Sequence, residues 1–158
     1  DLSMWLSSTA QTALRAVLHV ASGGHGAPVR AGEIADAVGA PRNYLSKTLH
    51  VLTRAGVLVS KRGPNGGFAL AVPATEVSLE RVIAPFAPAD DRRWLLGRRG
   101  CGTTSHCMVH AHWSKVATEV ERFLATTTVA DLITTDISPD QLLPTFIAED
   151  LSHARAAR

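Results

Sequence analysis

A chain of 158 residues, 46% of them hydrophobic and with a formal net charge of only +2, is long enough for one packed domain plus an added oligomerisation element. No apolar run approaches the ~20 residues that a bilayer span needs, and no signal-peptide pattern opens the chain. The expected setting is the cytoplasm, with no membrane partner.

The charge is small but unevenly placed. Arg30, Arg42, Lys47, Arg54, Lys61 and Arg62 crowd the N-terminal half, while Asp131, Asp136, Asp140, Glu149 and Asp150 lie toward the other end. Local basicity is what phosphate binding requires, because each neutralised phosphate releases counterions.

The first expected helix spans Leu6 to Ala21. Ser7 or Ser8 can cap it, and Ala10, Leu14, Val17, Leu18 and Ala21 recur at helical spacing. Gly23 to Pro28 ends it. A short helix from Arg30 to Val38 places Ile34 and Val38 on one face, and Gly39 suits the turn beyond it. A third helix, about Arg42 to Ala55, directs Tyr44, Leu45, Leu49 and Leu52 inward. Two short helices joined by a glycine turn describe a helix-turn-helix, whose second member enters a major groove.

A tight hairpin follows at once. Val57 to Ser60 supplies one strand and Phe68 to Val72 the other, with Gly63, Pro64, Asn65, Gly66 and Gly67 between them. A hairpin with a basic flank behind a recognition helix reads as a wing. It would set Lys61 and Arg62 on a phosphate backbone or in a minor groove, with Asn65 exposed at its tip.

Ser78 to about Phe86 reads as a short capped helix stopped by Pro85 and Pro88. Residues 87–105 form an irregular arginine-rich loop carrying Trp94 and Cys101. A long helix then runs from Met108 to Thr126. Its apolar residues Val109, Trp113, Val116, Val120 and Phe123 alternate four and three apart, the spacing of a helix–helix seam. Thr128 to Leu132 resembles a capped helix start. The tail beyond Ser138 holds Pro139 and Pro144.

The fold expected is mainly α with a small β-hairpin wing. Residues 4–86 form a winged helix-turn-helix domain, 87–107 a sensor loop, 108–137 a dimerisation helix with a short following helix, and 138–158 a tail. The chain holds two cysteines, Cys101 and Cys107, and His106, His110 and His112 stand beside the second. In a cytosolic chain such a pair favours a metal, cluster or redox site over a structural disulfide, but two thiols need further ligands. Mixed thiolate and imidazole donors suit a 2Fe–2S cluster or tetrahedral zinc. A metal-free dithiol switch is the remaining option, with Arg98 and Arg99 favouring thiolate.

The order of these parts resembles the IscR/NsrR-type winged-helix transcriptional regulators, the bacterial repressors that sense iron–sulfur status or nitric oxide. The resemblance is carried by Leu6-Ser7 with Ala13-Leu14-Arg15, by Glu33-Ile34-Ala35 with Tyr44-Leu45, and by Leu52 to Leu58. Its most specific stretch is Ser60-Lys61-Arg62-Gly63 with Gly66 to Leu70. Ser78-Leu79 with Val82-Ile83, and Cys107, His110, Trp113 and Thr128 to Leu132, complete it. The resemblance implies a homodimer on a pseudo-palindromic double-stranded DNA operator. It also implies three loop cysteines holding an iron–sulfur cluster, with a histidine or an acidic residue of the opposite subunit's first helix as fourth ligand. This chain departs in two places. No residue matches the first cysteine, and the acidic position holds Gln11.

The expected readers of base edges are Arg42, Asn43, Ser46 and Lys47; Arg30, Lys61, Arg62 and Asn65 are expected at the DNA backbone or minor groove. Cys101, Cys107 and His110 are the expected metal ligands, with His106, His112 and Gln11 as reserves. A protein-docking winged helix is the competing class, which the basic residues disfavour. An enzyme is not expected, because no nucleophile elbow, phosphate loop or carboxylate pair appears.

Overall fold

The computed structural model describes residues 6–23, 26–87 and 108–134. The first helix, α1, spans Ser8–Ser22. It starts two residues later than expected because Ser7 is the cap: its Oγ accepts from the Ala10 N–H at 3.2 Å. Helix α2 spans Ala31–Val38 and ends on Gly39, whose left-handed φ of 70° turns the chain into α3, Arg42–Arg54. The Ala40 N–H donates back to the Ala35 carbonyl at 3.0 Å, so this turn is closed by its own backbone.

Helix α3 stops in the same way. Gly56 takes φ of 72°, and the Val57 N–H reaches the Leu52 carbonyl at 3.0 Å. With its N–H taken up by this cap, Val57 stands just before the first strand. Strand β1 is Leu58–Lys61 and pairs antiparallel with β2, Gly67–Leu70, in the register Leu58 to Leu70 and Lys61 to Gly67. Both strands therefore sit one residue from their expected starts. Phe68 turns its N–H and its carbonyl away from β1 to Val29, in bonds of 2.8 and 2.9 Å. The stretch before α2 thereby becomes a third rung of the wing.

Helix α4, Leu79–Ile83, is capped by Ser78, whose Oγ accepts from the Arg81 N–H. It is shorter than the sequence pattern suggested. Pro85 lacks an N–H for an α-helical ladder, and the chain tightens into a 3-10 turn at Ala84–Phe86. Helix α5 spans Met108–Thr126, as expected, and α6 spans Val129–Thr134. The Leu79 N–H bonds the Thr127 carbonyl and the Val129 N–H bonds the Val77 carbonyl, which ties the α5–α6 junction to the start of α4.

The core gathers around α1. Ala13, Ala16 and Val17 are fully enclosed, with Ile34, Leu45, Leu49, Leu52, Leu58, Val77, Leu79, Val82 and Val129 around them. The small Ala13 and Ala16 side chains let neighbouring elements approach α1 closely. Thr48, a buried polar residue, donates its hydroxyl to the Tyr44 carbonyl. Tyr44 itself departs from its expected inward position. It is 37% exposed, and its hydroxyl bonds Thr9 Oγ1 of α1 at 2.7 Å. Position 44 is about 100° around the helix from Leu45, so its ring braces the flank of α3 rather than the core.

No described side chain of α5 is fully buried. Phe123 and Leu124 lean on the core, while Trp113, Val116 and Val120 stay half-covered.

At the start of α6 the Asp131 carboxylate accepts from the Thr128 N–H and hydroxyl, each at 2.8 Å. The Thr128 oxygen accepts in turn from the Asp131 N–H. The backbone bond from Thr128, followed by the hydroxyl bond, lowers the Asp131 pKa below its ordinary 3.8. A depressed carboxylate contributes stability that is complete above the ordinary value and is lost as pH falls through the lowered one. Urea denaturation of wild type and Asp131→Ala should therefore differ near neutrality and converge as the solution is acidified below that value.

Candidate nucleic-acid interface

One face of α3 is turned away from the core. Leu45, Thr48, Leu49 and Leu52 are its buried residues, and Asn43, Lys47, His50 and Arg54 are exposed on the opposite side with Ser46 half-exposed. At ~100° per residue these five positions fall within an arc of about 100° and form one stripe along the helix. The base readers expected from the sequence ended at Lys47. His50 and Arg54 lie on the same stripe, and their signal was present: they stand seven and eleven residues after Asn43, on the same helical face.

Arg42 points elsewhere. Its guanidinium pairs with Asp36 of α2 at 3.3 Å and lies beside Gly32, about 100° around from Asn43. It is exposed at the N-terminal end of the helix, beside the stripe rather than on it.

Lys61, Arg62 and Asn65 are all exposed on the wing. The tip closes with the Gly66 N–H on the Gly63 carbonyl at 2.9 Å, around Pro64 and Asn65. Two glycines are demanded by close approach. A Cβ on Gly66 would lie 2.5 Å from the Lys61 carbonyl oxygen, and one on Gly67 would lie 2.4 Å from that of Val29. Arg30 spans from the start of α2 to the tip, donating to the Pro64 carbonyl at 2.8 Å. Helix and wing also touch directly: the His50 ring meets the Phe68 ring edge-on, with centroids 6.3 Å apart at 79°.

The elements so assembled carry charges of one sign. Neither α3, the two strands, the wing turn nor residues 26–30 contain an acidic side chain. Their charges are Arg30, Arg42, Lys47, Arg54, Lys61 and Arg62, which suits a polyanion.

Cys101, His106 and Cys107 lie outside the described residues, as do Trp94 and the tail. Position 110 is in the first turn of α5 and His112 is exposed. The two positions are about 200° apart around the helix, on opposite sides. Gln11 donates its side-chain amide to the Leu6 carbonyl at 3.1 Å. Among the described residues no three His, Cys, Asp or Glu side chains converge on a common point.

The model of the Rrf2 family, described as iron-dependent transcriptional regulators, matches residues 6–135. The chain belongs to the Rrf2 family. A helix-turn-helix-type transcriptional regulator of Haemophilus influenzae is 31% identical over 130 residues, covering 82% of this Rrf2 chain and 87% of the relative. The regulator IscR of Vibrio atlanticus is 30% identical over 130 residues, covering 82% of this chain and 75% of the relative. Among solved structures, CymR, the global cysteine regulator of B. subtilis, superposes with a TM-score of 0.69 at 20% identity, over 82% of this chain and 96% of that one. The IscR of T. potens superposes at 0.66 with 24% identity, over 90% and 95%. These likenesses bear out the winged-helix fold. This Rrf2 protein is a DNA-binding transcriptional regulator and not an enzyme.

Proposed function

We propose that the protein works as a homodimer that reads a pseudo-palindromic operator with α3 and its wing. The observation that supports this most is the acid-free surface joining the exposed stripe of α3 to the basic wing. Asn43, Ser46 and Lys47 would meet base edges. Lys61, Arg62 and Asn65 would hold phosphates or the minor groove, and Arg42 would take a phosphate near the helix start. Arg30, bonded to the wing tip, would add charge there while fixing the wing's angle. The half-covered seam of α5 favours pairing with the same helix of a second copy, which would place two readers side by side.

Selection of duplexes from a randomised pool tests this reading. The expected product is a site with two-fold symmetry, and Asn43→Ala should lose about 1–3 kcal/mol at particular base pairs only. Recovery of asymmetric sites, or an equal loss on every sequence, would contradict it.

The DNA affinity is proposed to depend on chemistry at Cys101 and Cys107, in keeping with the iron-dependent description of the family. The donor set fits a 2Fe–2S cluster of mixed ligation and fits zinc as well: two thiolates with imidazole from His106 and from either His110 or His112, which the turn of α5 sets on opposite sides. When bound, such a group would tether the residues before α5 to that helix, and a cluster would add a redox-sensitive centre. Gln11, engaged with Leu6, is the weakest candidate. Cys101→Ala and Cys107→Ala should each remove the metal or chromophore and leave DNA affinity in one state. An anaerobic visible spectrum with iron, sulfide and zinc analysis checks this, and unchanged metal content in both variants would refute it.

A further inference from the structure

We infer that His50 is a DNA-contacting residue that makes a proton-dependent phosphate contact in the angle between α3 and the wing. This rests on the assignment of α3 and the wing as the DNA-binding surface. Three observations carry it. His50 is exposed and lies near the middle of the outward stripe, between Lys47 and Arg54 and turned away from the buried Leu45 and Leu52. Its ring rests edge-on against Phe68 at 6.3 Å. Phe68 is fixed in turn by its two bonds to Val29. The imidazole is therefore held where a nucleic-acid backbone would pass between a helix seated in the major groove and a wing beside it.

The charged neighbours decide what this ring can do. On α3 they are Lys47 and Arg54; on β1 and the wing turn, Lys61 and Arg62; on the segment bridged to Phe68, Arg30. None of these elements offers a carboxylate. The neighbouring helix α2 carries Glu33 and Asp36, and Asp36 is paired with Arg42. An imidazolium at position 50 thus shares these elements with cations and with no carboxylate. A phosphate would supply a counter-charge, so binding DNA and binding a proton favour each other by linkage. The direction follows: DNA affinity rises as pH falls through the range where histidine takes up its proton.

The test uses the full chain and a labelled duplex of mixed sequence, about 30 base pairs long, because a phosphate contact is independent of sequence. Anisotropy titrations at about pH 6 and about pH 8 bracket the charge change of histidine. Wild type should bind roughly tenfold tighter at the lower pH, with a salt dependence steeper by about one for each engaged histidine. His50→Gln should bring the ratio of the two affinities close to one. His50→Lys, which carries a fixed charge, should bind tightly at both pH values and show that position 50 tolerates replacement. A His50→Gln protein that kept the full pH ratio, or a wild type without one, would overturn the inference. Lys61→Ala serves as the reference: it should bind more weakly at both pH values and keep the ratio. A Lys61→Ala protein as tight as wild type at both would overturn the DNA-binding surface itself, and the inference with it.

Discussion

Replacing Gly67 with alanine should detach the wing and cost about 2–3 kcal/mol of stability, the scale of a forced close approach in a packed structure. The new Cβ would fall 2.4 Å from the Val29 oxygen and 2.6 Å from its carbonyl carbon. Both are backbone atoms, and Val29 cannot retreat without giving up its two bonds to Phe68. Those bonds are the direct backbone link between the wing and the start of α2. Gly39→Ala offers the contrast. Its φ of 70° disfavours a side chain, but nothing lies within 4 Å of its would-be Cβ, so only the conformational cost of about 1–2 kcal/mol is expected. Gly67 lies at φ of 156° and carries a conformational cost of its own, so the excess of its urea midpoint shift over that of Gly39→Ala reads the steric part. Equal losses would mean that the bridge to Val29 does not hold the wing. DNA binding should fall further in Gly67→Ala than its stability loss explains, because Lys61 and Arg62 would no longer be aimed.

A charge in the α5 seam should have the larger effect on function. Trp113, Val116, Val120 and Phe123 follow one side of a helix with no fully buried side chain among those described. Val116→Glu would place a carboxylate in the middle of the proposed dimer interface, where pairing would bury it without a partner. Dissociation is the expected result. A single reader then loses the effective concentration of the second, and operator affinity should drop by roughly a hundredfold or more. Sedimentation velocity at micromolar protein, with and without the substitution, reads the first effect, and operator titration reads the second. A wild type that sediments as a monomer would remove the basis for the dimer.

Much of this architecture was legible because the deciding signals are local. Gly39 ends a helix in the left-handed region, Ser78 caps α4, and Thr128 with Asp131 caps α6; each acts within four residues of itself. The wing was legible for the same reason, since Gly63 to Gly67 carry its turn. What was missed is non-local. Nothing near Val29 announces a strand partner thirty-nine positions away, yet its two bonds to Phe68 fix the wing against α2. Tyr44 looked like core because it is large and apolar, but α1 offers it Thr9 as a hydroxyl partner at the edge of the protein. Arg42 was expected at base edges from its place at the start of α3, and its pairing with Asp36, six residues earlier in the preceding helix, is a contact that local pattern does not announce. His50 has no partner near it in the sequence, since only the fold brings it to Phe68. The sensor ligands belong to another case: Cys101, His106 and Cys107 lie outside the described residues, so their donor chemistry alone supports the proposal.

The central claim is that α3 and the wing together form the DNA-binding surface, with the wing holding phosphates and α3 reading bases. The most direct test measures affinity against salt concentration for a selected operator and a mixed-sequence duplex, with wild type, Lys61→Ala and Asn43→Ala. Lys61→Ala should weaken both duplexes alike and reduce the salt slope by about one for each phosphate it no longer neutralises. Asn43→Ala should weaken the operator alone and leave the slope unchanged. A Lys61→Ala protein with wild-type slope and affinity on both duplexes, or an Asn43→Ala protein equally weakened on both, would contradict the account.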